Sequence, residues 1–189
     1  MKDLFRGKLV RLTAEEPEIQ AKTEARWQRD SEYRRLADSD PTDVLSEKKI
    51  KEWLEKRAEE GFKPERYPFS IHTLTDDKLI GFIGVWVDLI HSDGWVGIGI
   101  GEREFWGKGY GTDAMEVLLQ YAFTKLNMKR VSLALHSYNT RALKSYEKAG
   151  FRLEGRTRSD QHREGNRTDT LWMGILREEW AQRQQGEKQ

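Results

Sequence analysis

The stretch Trp106-Gly107-Lys108-Gly109-Tyr110-Gly111-Thr112 decides the fold of this chain. It joins an apolar run typical of a strand, residues 95–101, to a run with helical periodicity. Glycines at alternate positions leave the backbone N–H groups unshielded, so another molecule can approach them closely. If a helix begins at about Gly111 or Thr112, its unpaired N–H groups and the positive end of its dipole face the same place. The stretch therefore predicts a cradle for a phosphate or a pyrophosphate.

Two common phosphate-binding motifs differ from this loop. A P-loop requires Gly-x4-Gly-Lys-Ser/Thr, whereas Lys108 is followed by Gly109, which offers no hydroxyl to Mg²⁺. A dinucleotide-binding fold requires Gly-x-Gly-x-x-Gly after the first strand, and the spacing here is shorter and comes late in the chain. On the loop alone, a tight turn without a ligand stays open, although its glycines cost stability that such a turn does not require.

Hydrophobic periodicity on both sides of the loop predicts strands, then a helix, a strand, a helix and strands. The expected strands cover residues 9–12, 67–74, 79–87, 95–101, 130–135, 151–156 and 168–176. The expected helices cover residues 15–36, 46–60 and 139–149, and a further helix after the loop carries the apolar stripe Met115, Leu118, Leu119, Ala122, Phe123 and Leu126. This order indicates an α+β (mixed α/β) fold with helices on both faces of the sheet, in one domain over 1–189. The charged tail after Trp180 is expected to fray.

Composition excludes several classes of function. The 33 basic and 32 acidic residues give a net charge of +1, so no bulk charge favours nucleic acid or an acidic membrane. The chain has no cysteine, which excludes thiolate metal sites and a cysteine acyl-enzyme. No apolar stretch reaches the ~20 residues of a membrane span, and we see no signal-peptide core, so a cytoplasmic protein is expected. His72 and His162 show no metal-ligand spacing, and no metal site is expected.

A second motif lies about 30 residues after the loop. Residues 139–151 have the form Asn-x-x-Ala-x-x-x-Tyr-x-x-x-Gly-Phe. With the loop, this motif resembles the GCN5-related N-acetyltransferases (GNAT), most closely their RimJ/RimL-like branch, and the resemblance is dense from about 81 to 180. The family loop reads Gln/Arg-x-x-Gly-x-Gly/Ala, and Trp106 replaces its first residue. The resemblance implies a mostly antiparallel, twisted sheet of about seven strands, two of which splay apart.

The resemblance also implies where acetyl-CoA binds. The strand before the loop would pair with the pantetheine arm, and the N–H groups of residues 107–112 would hold the pyrophosphate. Asn139 matches an asparagine that touches the cofactor, and it can also cap its helix. The cofactor-binding residues implied in this way are Gly99, Ile100, Gly101, Trp106, Gly107, Lys108, Gly109, Tyr110, Gly111, Thr112 and Asn139.

Tyr146 matches the general acid of the family, which protonates the CoA thiolate as it leaves. Packing in the core is the alternative, because Ala142, Leu143 and Tyr146 share one helical face. The general base is left open. Relatives often carry a glutamate where this chain has Val96, and the run 95–101 has no titratable side chain. The proton must therefore leave through water or through a residue from elsewhere, such as Asp88, His91, His136 or a carboxylate of the N-terminal helices, for example Glu32. Glu102 and Glu104 are expected to face solvent.

The predicted function is direct transfer of an acetyl group from acetyl-CoA to a primary amine, first of all a protein N-terminus. Acetylation of a small amine, such as a polyamine or an aminoglycoside, is the alternative, and a non-catalytic acyl-CoA sensor is the alternative from another class. Family habit further implies a homodimer.

Two groups of residues bear on the acceptor. Asp38, Asp40 and Asp43 either attract a cationic acceptor or form a solvated loop that caps helices. Trp27, Trp53, Trp86 and Trp95 are expected in the core, although Trp86 and Trp95 also lie near the predicted splay, where they would line the acceptor cleft.

Overall fold

A computed structural model describes residues 3–37 and 44–186 of the chain. Seven strands form one sheet in the order β1-β2-β3-β4-β5-β7-β6. The strands are β1 (Val10–Thr13), β2 (Arg66–Thr73), β3 (Leu79–Asp88), β4 (Asp93–Ile100), β5 (Arg130–His136), β6 (Arg152–Arg163) and β7 (Asn166–Leu176). The helices are α1 (Pro17–Trp27), α2 (Ser31–Ala37), α3 (Glu47–Glu59), α4 (Tyr110–Thr124), α5 (Thr140–Ala149) and α6 (Arg177–Gly186).

The mixed α/β fold and the seven-stranded sheet expected from the sequence are confirmed. All neighbouring strands run antiparallel except β4 and β5, which are parallel. Ser46 caps α3 by accepting the Lys49 N–H at 3.2 Å, and Gly150 ends α5 in the left-handed region, as the sequence predicts.

Two expectations about helices are wrong. Residues 15–36 form two helices rather than one, because the Asp30 carboxylate accepts the N–H groups of Glu32 and Tyr33 and so starts α2 anew. Residues 181–186, which follow Trp180, do not fray but continue α6. The Trp180 ring lies 5.3 Å from that of Phe123, and Arg183 donates to the Lys148 carbonyl at 2.7 Å.

Helices pack on both faces of the sheet, as expected. Gly99 of β4 faces Tyr33 of α2, whereas the adjacent Ile100 faces Gly111 of α4. Since side chains alternate along a strand, α2 and α4 lie on opposite faces. The stripe of α4 is buried in the main core, with Leu126 partly buried beside it. A smaller cluster joins α1 and α3 through Ala21, Ala25, Ile50 and Leu54.

The central pair of strands separates part of the way along its length. Strand β4 pairs with β5 only through Asp93, Gly94 and Trp95, opposite residues 130–132. Beyond these residues, β4 keeps its pairing with β3 as far as Ile100, and β5 keeps its pairing with β7 as far as His136. The sheet therefore opens into the expected splay at its centre. Within the described ranges, no helix has the length and apolar character needed to cross a membrane.

Candidate active site

A cavity of about 990 Å³ opens where β4 and β5 separate. Its walls come from β4 and β5, the glycine loop, the first two turns of α4, helices α2 and α5, residues 8–9, and strands β6 and β7. The cavity is large enough for an extended small molecule.

The free edge of β4 forms one wall of the cavity. The Gly101 N–H donates to the Ile80 carbonyl of β3 at 2.8 Å. Backbone groups alternate in direction along a strand, so the N–H groups of Ile98 and Ile100 point away from β3 and into the splay. The Ile100 carbonyl accepts a 2.7 Å hydrogen bond from the Trp106 indole, which fixes the end of the strand.

The glycine loop leads directly into α4. Gly107 and Gly109 adopt positive φ values of 72° and 91°, which favour glycine. Gly109 is the N-cap of α4 and provides no side-chain bond to the first turn. The N-terminal N–H groups of a long, apolar helix are thus directed at the cavity, which is the arrangement that binds a phosphate.

Asp113, which sequence reasoning missed, holds the first turn of α4 in place. Its carboxylate is buried and accepts the N–H groups of Lys8, Leu9 and Val10 at 2.9, 2.7 and 3.0 Å. The start of β1 is thereby attached to the helix beside the cavity. An acidic residue in the first turn of a helix was the available signal.

Most of the predicted cofactor-binding residues meet in this cavity. Those that line it are Gly99, Ile100, Trp106, Gly107, Gly109, Gly111, Thr112 and Asn139, together with the predicted acid Tyr146. Gly101, Lys108 and Tyr110 lie outside the lining. Gly101 is covered by Trp27, whose ring a Cβ atom there would meet at 2.0 Å. The Tyr110 ring packs on Phe105 at 4.8 Å, and Lys108 is exposed on the loop.

Positive charge surrounds the loop end of the cavity. The Arg141 guanidinium lies 3.9 Å above the Trp106 ring, and lysines 8, 144 and 148 also line the cavity. Burial lowers the pKa of Arg141, but a guanidinium stays charged at neutral pH. These charges suit an anionic ligand at the start of α4.

Tyr146 lies on the cavity wall in the second turn of α5 and also packs against the main core. Burial raises the pKa of Tyr146 to about 12, so its hydroxyl keeps its proton throughout the physiological range. Thr112 and Ser145, whose hydroxyl oxygens are 2.8 Å apart, join α4 to α5 beside it. Asn139 caps α5 by accepting the Ala142 N–H at 3.1 Å, which confirms its capping role.

Among the four candidate bases, only His136 lines the cavity. It is buried at the end of β5 and stacks on Tyr138, with ring centroids 5.1 Å apart. Asp88 and His91 are exposed in the turn between β3 and β4, and Glu32 pairs with Arg35 on α2. Val96 lies in the core and supplies no proton acceptor.

The prediction that Glu102 faces solvent is wrong, whereas the same prediction for Glu104 is confirmed. Glu102 is buried, where it accepts a 2.9 Å hydrogen bond from the Trp27 indole and pairs with Arg26. Glu104 is exposed and pairs with Lys78. Sequence reasoning missed the burial of Glu102 because its partners lie 75 residues away, on α1.

The tryptophans differ from expectation in a similar way. Trp27 is buried, but Trp53, Trp86 and Trp95 are 51, 46 and 41 % exposed, and none of these three lines the cavity. Trp172 of β7 lines it instead, with its ring 5.7 Å from that of Trp95. Asp38, Asp40 and Asp43 lie outside the described residues.

Strands β6 and β7 contribute a wall that sequence reasoning missed, consisting of Asp160, Gln161, Thr170 and Trp172. An aspartate inside a strand is unusual and was the one available signal. In the part of the chain that the structure covers, 3–37 and 44–186, no three histidine or acidic side chains gather as they would around a metal ion.

Comparisons with known proteins identify the family. The acetyltransferase (GNAT) domain family matches residues 8–152. The N-acetyltransferase p20 of Bacillus licheniformis, itself uncharacterised, is 31 % identical over 114 residues, which are 60 % of this chain and 64 % of p20. YdaF of Bacillus subtilis (strain 168), provisionally named as a ribosomal N-acetyltransferase, is 32 % identical over 116 residues, 61 % of each chain.

The match therefore spans less than two thirds of the length of either curated relative. A solved structure of a spermidine N-acetyltransferase from Vibrio cholerae, in complex with CoA and spermine, superposes with a TM-score of 0.79. That superposition covers 91 % of this chain and 98 % of the other at 22 % identity, which shows a shared fold. The family match covers both the glycine loop and Tyr146, so the chain belongs to the GNAT acetyltransferase family.

Proposed function

We propose that this protein is an N-acetyltransferase that moves an acetyl group from acetyl-CoA to a primary amine. One observation carries the proposal: the free edge of β4, the glycine loop at the start of α4 and Tyr146 all border a single cavity. Each of the three meets one chemical need of this reaction.

The cavity residues suit acetyl-CoA. The first-turn N–H groups of α4, with Arg141 and the nearby lysines, would hold its pyrophosphate. The Ile98 and Ile100 amides, left unpaired by β5, would bond the pantetheine arm as a neighbouring strand does. When bound, acetyl-CoA supplies the activated thioester.

The remaining chemistry belongs to two groups of the chain. The Ile100 N–H would polarise the thioester carbonyl, in the manner of an oxyanion hole. The amine nitrogen forms a bond to the carbonyl carbon, and the carbon–sulfur bond breaks. The Tyr146 hydroxyl then gives its proton to the departing thiolate, a role that suits its retained proton.

We further propose His136 as the group that takes the proton from the attacking amine. It is the one candidate of the four that borders the cavity, and an imidazole can accept a proton near neutral pH. It lies on β5, across the splay from Ile98 and Ile100.

The acceptor that we propose first is a protein N-terminal amine, which agrees with the provisional name of YdaF. A small amine is the second candidate, because the Vibrio cholerae neighbour is a spermidine acetyltransferase. A non-catalytic acyl-CoA sensor would use the same cavity without turnover, and the position of Tyr146 argues against it.

The decisive experiment measures CoA thiol release from acetyl-CoA with short peptides, spermidine, spermine and aminoglycosides as acceptors. We expect release to be stimulated by at least one class of amine. Tight binding of acetyl-CoA without stimulation by any amine would contradict the enzyme proposal and favour the sensor. The homodimer and the cytoplasmic location expected from the sequence both stay predictions.

A further inference from the structure

Strand β6 carries a bulge of three residues beside the cavity. Thr157 faces Thr170 of β7, but the next register pair is Gln161 with Thr168, so residues 158–160 lie opposite Asp169 alone. Ser159 in the middle of the bulge has a φ of +53°, which is uncommon for a residue with a side chain. Bulges of this kind redirect side chains next to functional sites.

Asp169 holds the bulge in one shape. Its carboxylate accepts the Ser159 N–H at 2.7 Å and also pairs with Arg156. Its own backbone is bonded to Ser137, whose N–H donates to the Asp169 carbonyl at 2.9 Å. The bulge is therefore fixed to the loop between β5 and α5, immediately before Asn139.

The result is that Asp160 reaches the cavity. One of its carboxylate oxygens accepts the Thr170 N–H at 3.0 Å, and the side chain lines the cavity wall. Asp160 is exposed to solvent; slight desolvation raises its pKa, but hydrogen bonds from Thr170 and Gln161 lower it by more, so the carboxylate is charged at neutral pH. Thr170 and Gln161, the two residues that bond this carboxylate, are uncharged.

The cavity lining thus carries both positive and negative side chains. Arg141 lies on Trp106 of the glycine loop, and three lysines also line the cavity, whereas Asp160 is the carboxylate that β6 and β7 add to the lining. Two other carboxylates border the cavity, Asp113 and Glu116, and both belong to α4. An anion is attracted to one side and a cation to the other.

We propose that Asp160 binds a second positive charge of the acceptor, so that the preferred acceptors are amines with another cationic group. The attacking nitrogen must be neutral, and a carboxylate beside it would stabilise its protonated form, so the nitrogen that Asp160 holds is a different one. Diamines and peptides with a basic residue near the N-terminus both fit this chemistry. The proposal rests on the proposed acetyl transfer and adds the selection of the acceptor.

The test compares matched acceptors that differ by one charge: 1,4-diaminobutane against 1-aminobutane, and Ala-Lys amide against Ala-Gln amide. We expect the wild type to prefer the charged member of each pair by about fivefold in kcat/KM. Asp160→Asn should reduce this preference to near one through the KM of the acceptor, with the KM of acetyl-CoA unchanged. Asparagine keeps an oxygen for the Thr170 N–H, so the bulge should persist. Glu178→Gln, an exposed carboxylate of α6 outside the cavity, is the matched control.

Calorimetric titration of 1,4-diaminobutane or Ala-Lys amide into the CoA-bound protein separates this proposal from acetyl transfer itself. Binding by the wild type that is weaker in Asp160→Asn supports the proposal, even if no amine is acetylated. Equal binding by both proteins overturns it, and so does a wild type that binds neither 1,4-diaminobutane nor Ala-Lys amide. An unchanged preference for charged acceptors in Asp160→Asn overturns it as well. A preference in the diamine pair only would identify small polyamines, and a preference in the peptide pair only would identify protein N-termini.

Discussion

The two sides of the cavity are built differently. The cofactor side, as we propose it, consists of the end of β4, the glycine loop and the start of α4, which follow each other directly in the sequence and present mainly backbone N–H groups. The acceptor side, as we propose it, takes side chains from α2, β5, β6 and β7, which are far apart in the chain. A site made of backbone groups can be predicted from the local spacing of glycines, whereas a site made of side chains depends on long-range packing. Substitutions on each side of the cavity test this difference.

The largest expected effect comes from Gly109→Val, which should abolish measurable binding of acetyl-CoA by calorimetry. A β-branched side chain at a φ of +91° strains the backbone and blocks the loop. The matched control is Gly165→Val, which has a φ of +77° in the turn between β6 and β7 with nothing within 4 Å of its Cβ position. Loss of binding in both variants, or in neither, would contradict a cradle formed by the loop.

Tyr146→Phe should lower kcat about 100-fold and leave the acetyl-CoA affinity nearly unchanged, because only the proton donor is removed. In the wild type the protonated phenol is the active form and its pKa is about 12, so its deprotonation should not reduce the rate below about pH 11. Stopped-flow thiol release over a pH series measures both effects. Tyr110→Phe, outside the cavity, serves as the control, and turnover unchanged in Tyr146→Phe would refute the acid role.

His136→Asn should lower kcat at neutral pH roughly tenfold, because water can partly replace a general base. The loss should shrink as the pH rises, since the acceptor amine then deprotonates in solution. His91→Asn, in the exposed β3–β4 turn, is the comparison variant. A loss of the same size at every pH would point to altered packing rather than proton transfer.

Trp106→Phe should raise the KM of acetyl-CoA about fivefold, equivalent to ~1 kcal/mol for one hydrogen bond. The variant keeps a ring beneath Arg141 but removes the 2.7 Å bond to the Ile100 carbonyl. Because this bond positions the end of β4, which belongs to the cofactor side, the acceptor KM should stay constant. A change confined to the acceptor KM would indicate that Trp106 acts on the acceptor side of the cavity instead.

The smallest effect is expected for Asp30→Asn, which lies behind the acceptor side. Hydrogen bonding to Arg103 lowers the pKa of Asp30 to about 2, so its contribution is present above its ordinary value of 3.8 and is lost as the pH falls through 2. We expect a loss of ~1 kcal/mol in the free energy of unfolding at pH 7, measured in urea. The difference from the wild type should vanish near pH 2, and a difference that persists there would rule out the ion pair as its cause.

The sequence predicted the elements whose pattern is local. The stripe of α4, the caps Ser46 and Gly150, and the strands on either side of the loop all follow from periodicity and capping chemistry within a few residues. Gly107 and Gly109 are likewise needed by the backbone itself, whatever packs around them. Nine of the predicted site residues consequently line one cavity.

Predictions failed where a residue's surroundings come from elsewhere in the chain. Trp95 looks like a core residue in the sequence, but its ring lies beside that of Trp172, and 41 % of it is exposed. Glu102 looks like a surface residue, yet Trp27 and Arg26 of α1 close over it. Hydrophobicity and charge describe a side chain alone, and burial also depends on its distant neighbours.

The sequence by itself therefore determined the fold class, the family and the glycine-loop side of the cavity, because glycine spacing and helix periodicity act over short distances. Only the tertiary structure decided the acceptor side. The strand order puts β7 and β6 next to β5, and a bulge held by Asp169 turns Asp160 to the cavity wall. No short stretch of sequence contains that arrangement, because its hydrogen bonds join residues brought together only when the sheet forms.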